Sequence, residues 1–199
     1  MQPRPPAPRL PAARRRRQLL DVALELFADR GYHATAMNDI AEAAGVTKPV
    51  LYQHFRSKRE LYLELLEDVG GRLRDEIGKA TSEATNPRDQ VHAGFAAYFR
   101  FVSEQRTAFQ LLFGGGSRRD SEFADAVRGV EVSIAESIAS LIDVEGLEPA
   151  ERRLLAHAIV GLAEGASRHW LMSGRAGEPD ELARLVARLA WAGLRGVRG

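Results

Sequence analysis

Residues 35–58, TAMNDIAEAAGVTKPVLYQHFRSK, read as two short helices joined by a tight turn and followed by the start of a third. Two helices cross closely only where the side chains between them are small and the connecting turn can take a left-handed backbone. Ala41 and Gly45 meet those needs. A glycine just past the last helical residue is the least strained route to positive φ at a helix C-terminus, and Ala41, one turn earlier, leaves room for the second helix. Ile40, Ala44, Val46, Leu51 and Phe55 form an apolar seam that buries one face of each helix against a further element. Pro49 suits a first turn, where no N–H is needed and φ is preset. The spacing therefore predicts a helix over Lys48–Phe55, capped by Thr47 or Lys48. Ser57-Lys58-Arg59-Glu60 then forms an S-x-x-E capping box ahead of Leu61 and Leu65.

The outward face of that second helix carries Thr47, Lys48, Gln53 and His54, with Tyr52 beside them. These are donors suited to phosphate oxygens and base edges rather than to a core. No Asp or Glu lies between Thr47 and Lys58, so the helix can approach a polyanion without like-charge repulsion. Lys58 stands at a helix start, where a cation opposes the helix dipole; a bound phosphate would relieve that conflict.

The run from Arg14 to Leu66 resembles the N-terminal DNA-binding domain of TetR-family transcriptional regulators. The residues that carry the resemblance are Phe27, Gly31 and Tyr32 closing helix one, Thr35 opening helix two, Asp39-Ile40-Ala41, the Ala44-Gly45-Val46 turn, Leu51-Tyr52-x-x-Phe55 and Ser57-Lys58. Pro49 replaces the small residue commonest there, although proline also occurs at that position in the family. Beyond Val69 the likeness is architectural only. The resemblance implies that Lys48, Pro49, Val50 and Gln53 face bases in the major groove, while Thr35, Thr47, Tyr52, His54 and Lys58 hold phosphates.

Charge supports a division of labour. Formal net charge is only +1, yet residues 1–59 hold 11 Lys or Arg against 5 Asp or Glu (+6), and residues 60–199 hold 17 against 22 (−5). A basic head on a mildly acidic body fits a small DNA-reading domain attached to a body with another role. With 45% hydrophobic and 28% charged residues the chain has an ordinary globular composition. The lack of cysteine excludes disulfides and thiolate chemistry and suits a reducing cytoplasm. The N-terminus has no apolar signal core, and the apolar stretch near Leu154–Ala163 is short and contains His157, so neither export nor a membrane partner is expected.

Along the chain, residues 1–13 form a Pro/Arg-rich arm holding five of the nine prolines and expected to be disordered. Residues 14–58 form the helix-turn-helix domain, and residues 59–199 an effector-binding and dimerisation domain. Arg14–Arg17 can be read as a solvated helix start or, with Arg4 and Arg9, as an arm on DNA. Helix one is predicted from about Ala13 to Asp29, helix two from Thr35 to Ala44, and helix four from Ser57 to about Ala80. Asn86-Pro87 with Asp89 opens helix five. A short helix over Thr107–Phe113 stops at Gly114-Gly115-Gly116, and helix seven takes Ser121 to about Ile142. Helices eight and nine cover Pro149–Met172 and about Pro179–Leu194. No stretch alternates with period two for long enough to suggest a sheet. The expected fold is all-α, with about nine helices: an N-terminal three-helix helix-turn-helix domain and a C-terminal helical bundle.

Seven of the fourteen aromatics fall between Phe95 and Phe123. Each alone is ordinary core, but together they can surround a cavity of the kind that takes small molecules, and the resemblance implies such an effector pocket. Candidate ligand-binding residues are Phe95, Tyr98, Phe99, Phe113, Phe123 and Trp170, with His157, Glu164, Arg168 and His169 as polar contacts. Glu164 and Arg168 can equally form an i,i+4 pair on a solvent or dimer face. Helices eight and nine carry more apolar surface than a small bundle needs. Leu155, Ile159, Leu162, Ala166 and Trp170 form one stripe, Gly161 and Gly165 another, and helix nine offers Leu182, Leu185, Val186, Leu189 and Trp191. A homodimer through these two helices is expected.

No H-E-x-x-H, P-loop, strand-borne G-x-G-x-x-G or G-x-S-x-G occurs, and the five histidines show no ligand spacing. No catalytic residue, metal site or cofactor is therefore expected. The sequence points to a ligand-responsive repressor that binds a palindromic double-stranded DNA operator and is released by a small-molecule effector. The alternatives are an activator of the same fold, or a helical small-ligand carrier or enzyme.

Overall fold

A computed structural model describes residues 11–113, 121–174 and 178–197. Among them are nine helices and no strand: α1 Ala12–Ala34, α2 Met37–Ala43, α3 Lys48–His54, α4 Lys58–Ser82, α5 Pro87–Glu104, α6 Arg106–Phe113, α7 Ser121–Ala139, α8 Pro149–Met172 and α9 Pro179–Gly196. Two compact units divide at Leu65 and Leu66, inside α4 rather than at residue 58. The reason is burial: Leu61, Tyr62 and Leu65 belong to the core of the first unit, with Tyr62 edge-on to Phe27 at 4.9 Å.

In the first unit, α1 begins at Ala12 with Pro11 as its cap, so the last residues of the expected arm are already helical. The expectation for residues 1–10, Arg4 and Arg9 included, lies outside the described residues. Gly31, at φ 79 and ψ 165, breaks the regular helix, as the predicted end at Asp29 anticipates. Leu19, Leu20, Ala23, Leu24 and Phe27 of α1 are buried along with Ile40, Ala41, Leu51 and Phe55, and α2 packs on both α1 and α3. The turn between α2 and α3 closes on Gly45, at φ 64. The Gly45 N–H donates to Glu42 O at 3.0 Å and the Val46 N–H to Ala41 O at 2.9 Å. Those two bonds satisfy carbonyls that the end of α2 would otherwise leave unpaired.

In the second unit α5 packs along α9, and α7 along α8. Asn86 caps α5 by accepting the Asp89 N–H at 2.9 Å. Its buried side, Phe95, Tyr98, Phe99, Phe101 and Val102, builds an aromatic core with Phe109 and Phe113 of α6. Helix α7 ends earlier than expected: the Leu141 and Ile142 N–H groups bond three residues back, to Ile138 O and Ala139 O, in a tightened last turn. Gly70 lets α4 approach α7, since a Cβ there would collide with the Val130 side chain. The expected stop at Gly114–Gly116 lies outside the described residues.

Candidate nucleic-acid interface and ligand cavity

Helix α3 is only seven residues long, so its orientation depends on what grips it. Leu51 is fully buried on its inner side and Phe55, just past its end, is 1% exposed. Arg16 of α1 supplies the polar grip. Its Nη1 donates to His54 O at 2.6 Å, its Nε donates to Glu64 Oε1 at 2.7 Å, and the guanidinium lies 4.4 Å from the centroid of the Phe55 ring. One side chain thus ties together the ends of α3, α1 and α4 within the head. Gln18 adds a second tie, donating to Ala44 O at 3.1 Å. Arg17 pairs with Asp21 and Arg15 donates to Gln18, so three members of the arginine run are engaged within α1 or the head.

The outer side of α3 presents Thr47, Lys48, Pro49, Tyr52 and Gln53, all exposed, with Val50 and His54 half-buried beside them. Tyr52 is 43% exposed, a large aromatic held in water. Thr47 caps α3 through its backbone, and its hydroxyl does not close the cap.

Two residues expected to meet phosphates also bond within the head. Thr35 is 1% exposed, and its hydroxyl donates toward Gly31 O at 2.8 Å and Leu26 O at 3.3 Å, stitching the break at Gly31. Lys58 Nζ donates to Tyr32 O at 2.8 Å and Thr35 O at 2.9 Å, and it lies 4.4 Å from the centre of the Tyr32 ring. The conflict between an ammonium and the start of α4 is therefore relieved by carbonyls at the end of α1. The expected capping box forms in part: Ser57 Oγ accepts the Glu60 N–H at 3.1 Å, while the Glu60 carboxylate reaches one residue further back and accepts the Arg56 N–H at 2.7 Å. Lys48 and Tyr52 share an open depression of about 360 Å³ with His33, Asn38 and the Thr35 and Lys58 clasp.

The second unit encloses a cavity of about 350 Å³. Phe95, Tyr98 and Phe113 line it, along with Leu73 and Ile77 of α4, Ile134 and Ile138 of α7, Ile159 and Val160 of α8 and Trp191 of α9. Phe99, Phe123 and Trp170 do not reach it. They are buried elsewhere, Phe99 and Phe123 almost completely, because their turns of α5 and α7 face the neighbouring helices. Of the four polar residues suggested on α8, only Glu164 lines the cavity; it is paired with Arg168, and His157 and His169 are exposed. Thr81, Gln90, Tyr98 and Glu131 are also in the wall, and the hydroxyl of Tyr98 is buried beside the Ser167 side chain. Burial holds its pKa well above the ordinary tyrosine value, outweighing the Ser167 hydroxyl, which pulls it down; the Glu164 and Glu131 carboxylates raise it and the Arg168 guanidinium lowers it.

Helices α8 and α9 also carry an apolar surface that stays exposed among the described residues. Leu154 and Met172 of α8 are 70% and 82% exposed, and Leu185 and Leu189 of α9 are 58% and 62% exposed. Gly161 and Gly165 have nothing within 4 Å of where a Cβ would stand. Trp191, grouped in the sequence with this surface, turns to the cavity instead.

A family model described as bacterial regulatory proteins, tetR family, matches residues 19–65. A second, described as tetracyclin repressor-like, C-terminal domain, matches residues 87–193. The chain belongs to the TetR family of transcriptional regulators. This TetR-family chain is 36% identical over 190 residues to the HTH-type transcriptional activator FasR of Mycolicibacterium smegmatis, covering 95% of itself and 87% of that protein. It is 36% identical over 118 residues to the HTH-type transcriptional repressor KstR2 of the same organism, covering 59% of itself and 57% of KstR2. A TetR-like transcriptional regulator from Rhodococcus sp. RHA1 superposes with a TM-score of 0.76 at 32% identity, over 95% of this chain and all of that one. The fold is also that of FadR from Bacillus subtilis, solved in complex with stearoyl-CoA, with a TM-score of 0.77 at 19% identity over 89% and 98% of the two chains.

For this TetR-family regulator the sequence left two groups of residues unread. Arg16 stands in a run of four arginines that looks uniform, and only the positions of Glu64 and the end of α3 single it out. The aliphatic walls from α4, α7 and α9 look like any core stripe, because a cavity-lining isoleucine and a packed one have the same helical period. Among the described residues no group of three His, Asp or Glu could hold a metal ion, and no helix is long and apolar enough to cross a membrane.

Proposed function

We propose that this TetR-family protein is a ligand-responsive repressor that binds a near-palindromic operator as a homodimer in the cytoplasm and is released by a small molecule held in the second unit. The observation that carries this reading is the outer face of α3: Thr47, Lys48, Pro49 and Gln53 exposed together, free of carboxylates, on a helix fixed from behind by Leu51, Phe55 and Arg16. In that arrangement Lys48, Pro49, Val50 and Gln53 approach base edges, and Thr47, Tyr52 and His54 approach phosphates. Lys58 and Thr35 act by positioning, holding the end of α1 against the start of α4.

The uncovered faces of α8 and α9 support an isologous pairing of two copies, with Leu154, Met172, Leu185 and Leu189 packed around the close approach that Gly161 and Gly165 allow. Such a dimer sets two copies of α3 about one DNA turn, or a multiple of it, apart. Coupling runs through α4, which begins at Lys58 and contributes Leu73, Ile77 and Thr81 to the cavity wall. A ligand that favours the DNA-incompetent arrangement by about 100-fold supplies roughly 2.7 kcal/mol, enough to empty an operator.

A second reading has one observation in its favour: the FasR relative, matched over 95% of this chain, is named an activator. Selecting bound duplexes from a random pool and then screening compounds for release tests the proposal. A palindromic consensus whose binding a compound weakens supports it. No enriched sequence, or no compound that changes operator affinity, overturns it.

A further inference from the structure

Asn38 is exposed on α2 and lines the open depression beside α3 together with Lys48 and Tyr52, and none of the described residues around that depression carries a carboxylate. Among the described residues its carboxamide makes no hydrogen bond. It does not serve as the cap of α2, since the neighbouring Asp39 carboxylate accepts the Ala36 N–H at 2.8 Å. Its bearing is nevertheless fixed: Met37, Ile40 and Ala41 are buried on the inner side of α2, which sets the rotation of the helix and leaves Asn38 facing out. Lys48, which shares the depression, is the first residue of α3, and the start of a reading helix is the part that meets base edges.

The chemistry of the group narrows what it can meet. The Lys48 and Lys58 ammoniums only donate, and Lys58 is already committed to Tyr32 O and Thr35 O. A carboxamide carries a donor and an acceptor side by side on one planar group. A backbone phosphate, which only accepts, would leave the carboxamide oxygen unused. Adenine in the major groove offers its N6–H to that oxygen and its N7 to the carboxamide NH2, so both are satisfied at once. Resting on the reading that the outer face of α3 meets DNA, we propose that Asn38 is a specificity residue of the head: it reads one adenine per operator half-site through N6 and N7, and so extends base recognition from α3 onto α2. The half-site then contains an A·T pair that Lys48, Pro49, Val50 and Gln53 do not specify.

The test uses the full chain. Duplexes are selected from a random pool by wild type and by Asn38→Ala, a substitution that suits an exposed position in a helix and leaves the buried side of α2 intact. The variant is expected to keep the other positions of the consensus and to lose one A·T pair per half-site. In the wild-type consensus duplex, 7-deazaadenine at that position removes N7, and unsubstituted purine removes the N6 amino group. Each replacement should weaken wild type roughly fivefold and Asn38→Ala less than twofold. A consensus unchanged by Asn38→Ala, the loss of a G·C pair instead, or insensitivity of wild type to both base analogues overturns the proposal. So does a loss of affinity that is equal for the consensus and for unrelated duplexes, which is what a phosphate contact would give. A wild-type protein that enriches no sequence contradicts DNA reading as a whole, and the role of Asn38 with it. Enrichment by wild type that Asn38→Ala reproduces in full removes only the role of Asn38.

Discussion

Lys58 illustrates how one side chain changes meaning between sequence and structure. Its ammonium holds two carbonyls near the end of α1 and covers the Tyr32 ring, so it contributes to the fold of the head before any DNA arrives. Lys58→Ala is therefore expected to destabilise the head by about 1–3 kcal/mol in the absence of DNA, the range for hydrogen bonds from a charged donor. Urea denaturation followed by far-UV circular dichroism checks this, and a loss seen only in DNA affinity would return Lys58 to a phosphate contact. Tyr98 gives a second prediction at this scale. Burial raises its folded pKa above the ordinary value of 10.0, so the folded protein holds the proton more tightly than the unfolded chain. That contribution to stability is complete below about pH 10 and is lost as pH rises above it. The alkaline limb of a stability–pH profile should be shallower in Tyr98→Phe than in wild type.

At the scale of elements, what could be read in advance follows from how local the cause is. The turn at Gly45, the cap at Asn86 and the Ser57 cap of α4 are set by residues a few positions apart, so the sequence displays them. The end of α7 and the division inside α4 depend on neighbours far along the chain, and their expected positions are displaced. The cavity was legible only in part. Phe95, Tyr98 and Phe113 face it, while Phe99 and Phe123, in the same aromatic cluster, face the packed core, a difference of helical phase that composition does not carry. On α8 the buried positions include Ala156, Ala163 and Ser167, small residues that a search for large apolar stripes passes over. The exposed stripe of α9 yields a prediction of its own. Leu189→Glu places a charge where a partner copy is proposed to pack, and since Leu189 is 62% exposed the protomer loses little. Analytical ultracentrifugation should find a dimer for wild type and a monomer for Leu189→Glu, with operator affinity falling accordingly. An unchanged dimer would move the interface away from α9.

For the whole molecule, α4 begins in the basic first unit and contributes Leu73, Ile77 and Thr81 to the cavity of the second. The proposed role of the exposed α3 face as a DNA-reading surface is tested most directly by the dependence of duplex binding on salt. With a duplex selected by the protein itself, log K should fall steeply against log salt, by about 0.9 for each phosphate neutralised. Lys48→Ala should lower both the affinity and the preference for the selected sequence. A shallow slope, with Lys48→Ala binding as well as wild type, would contradict the account.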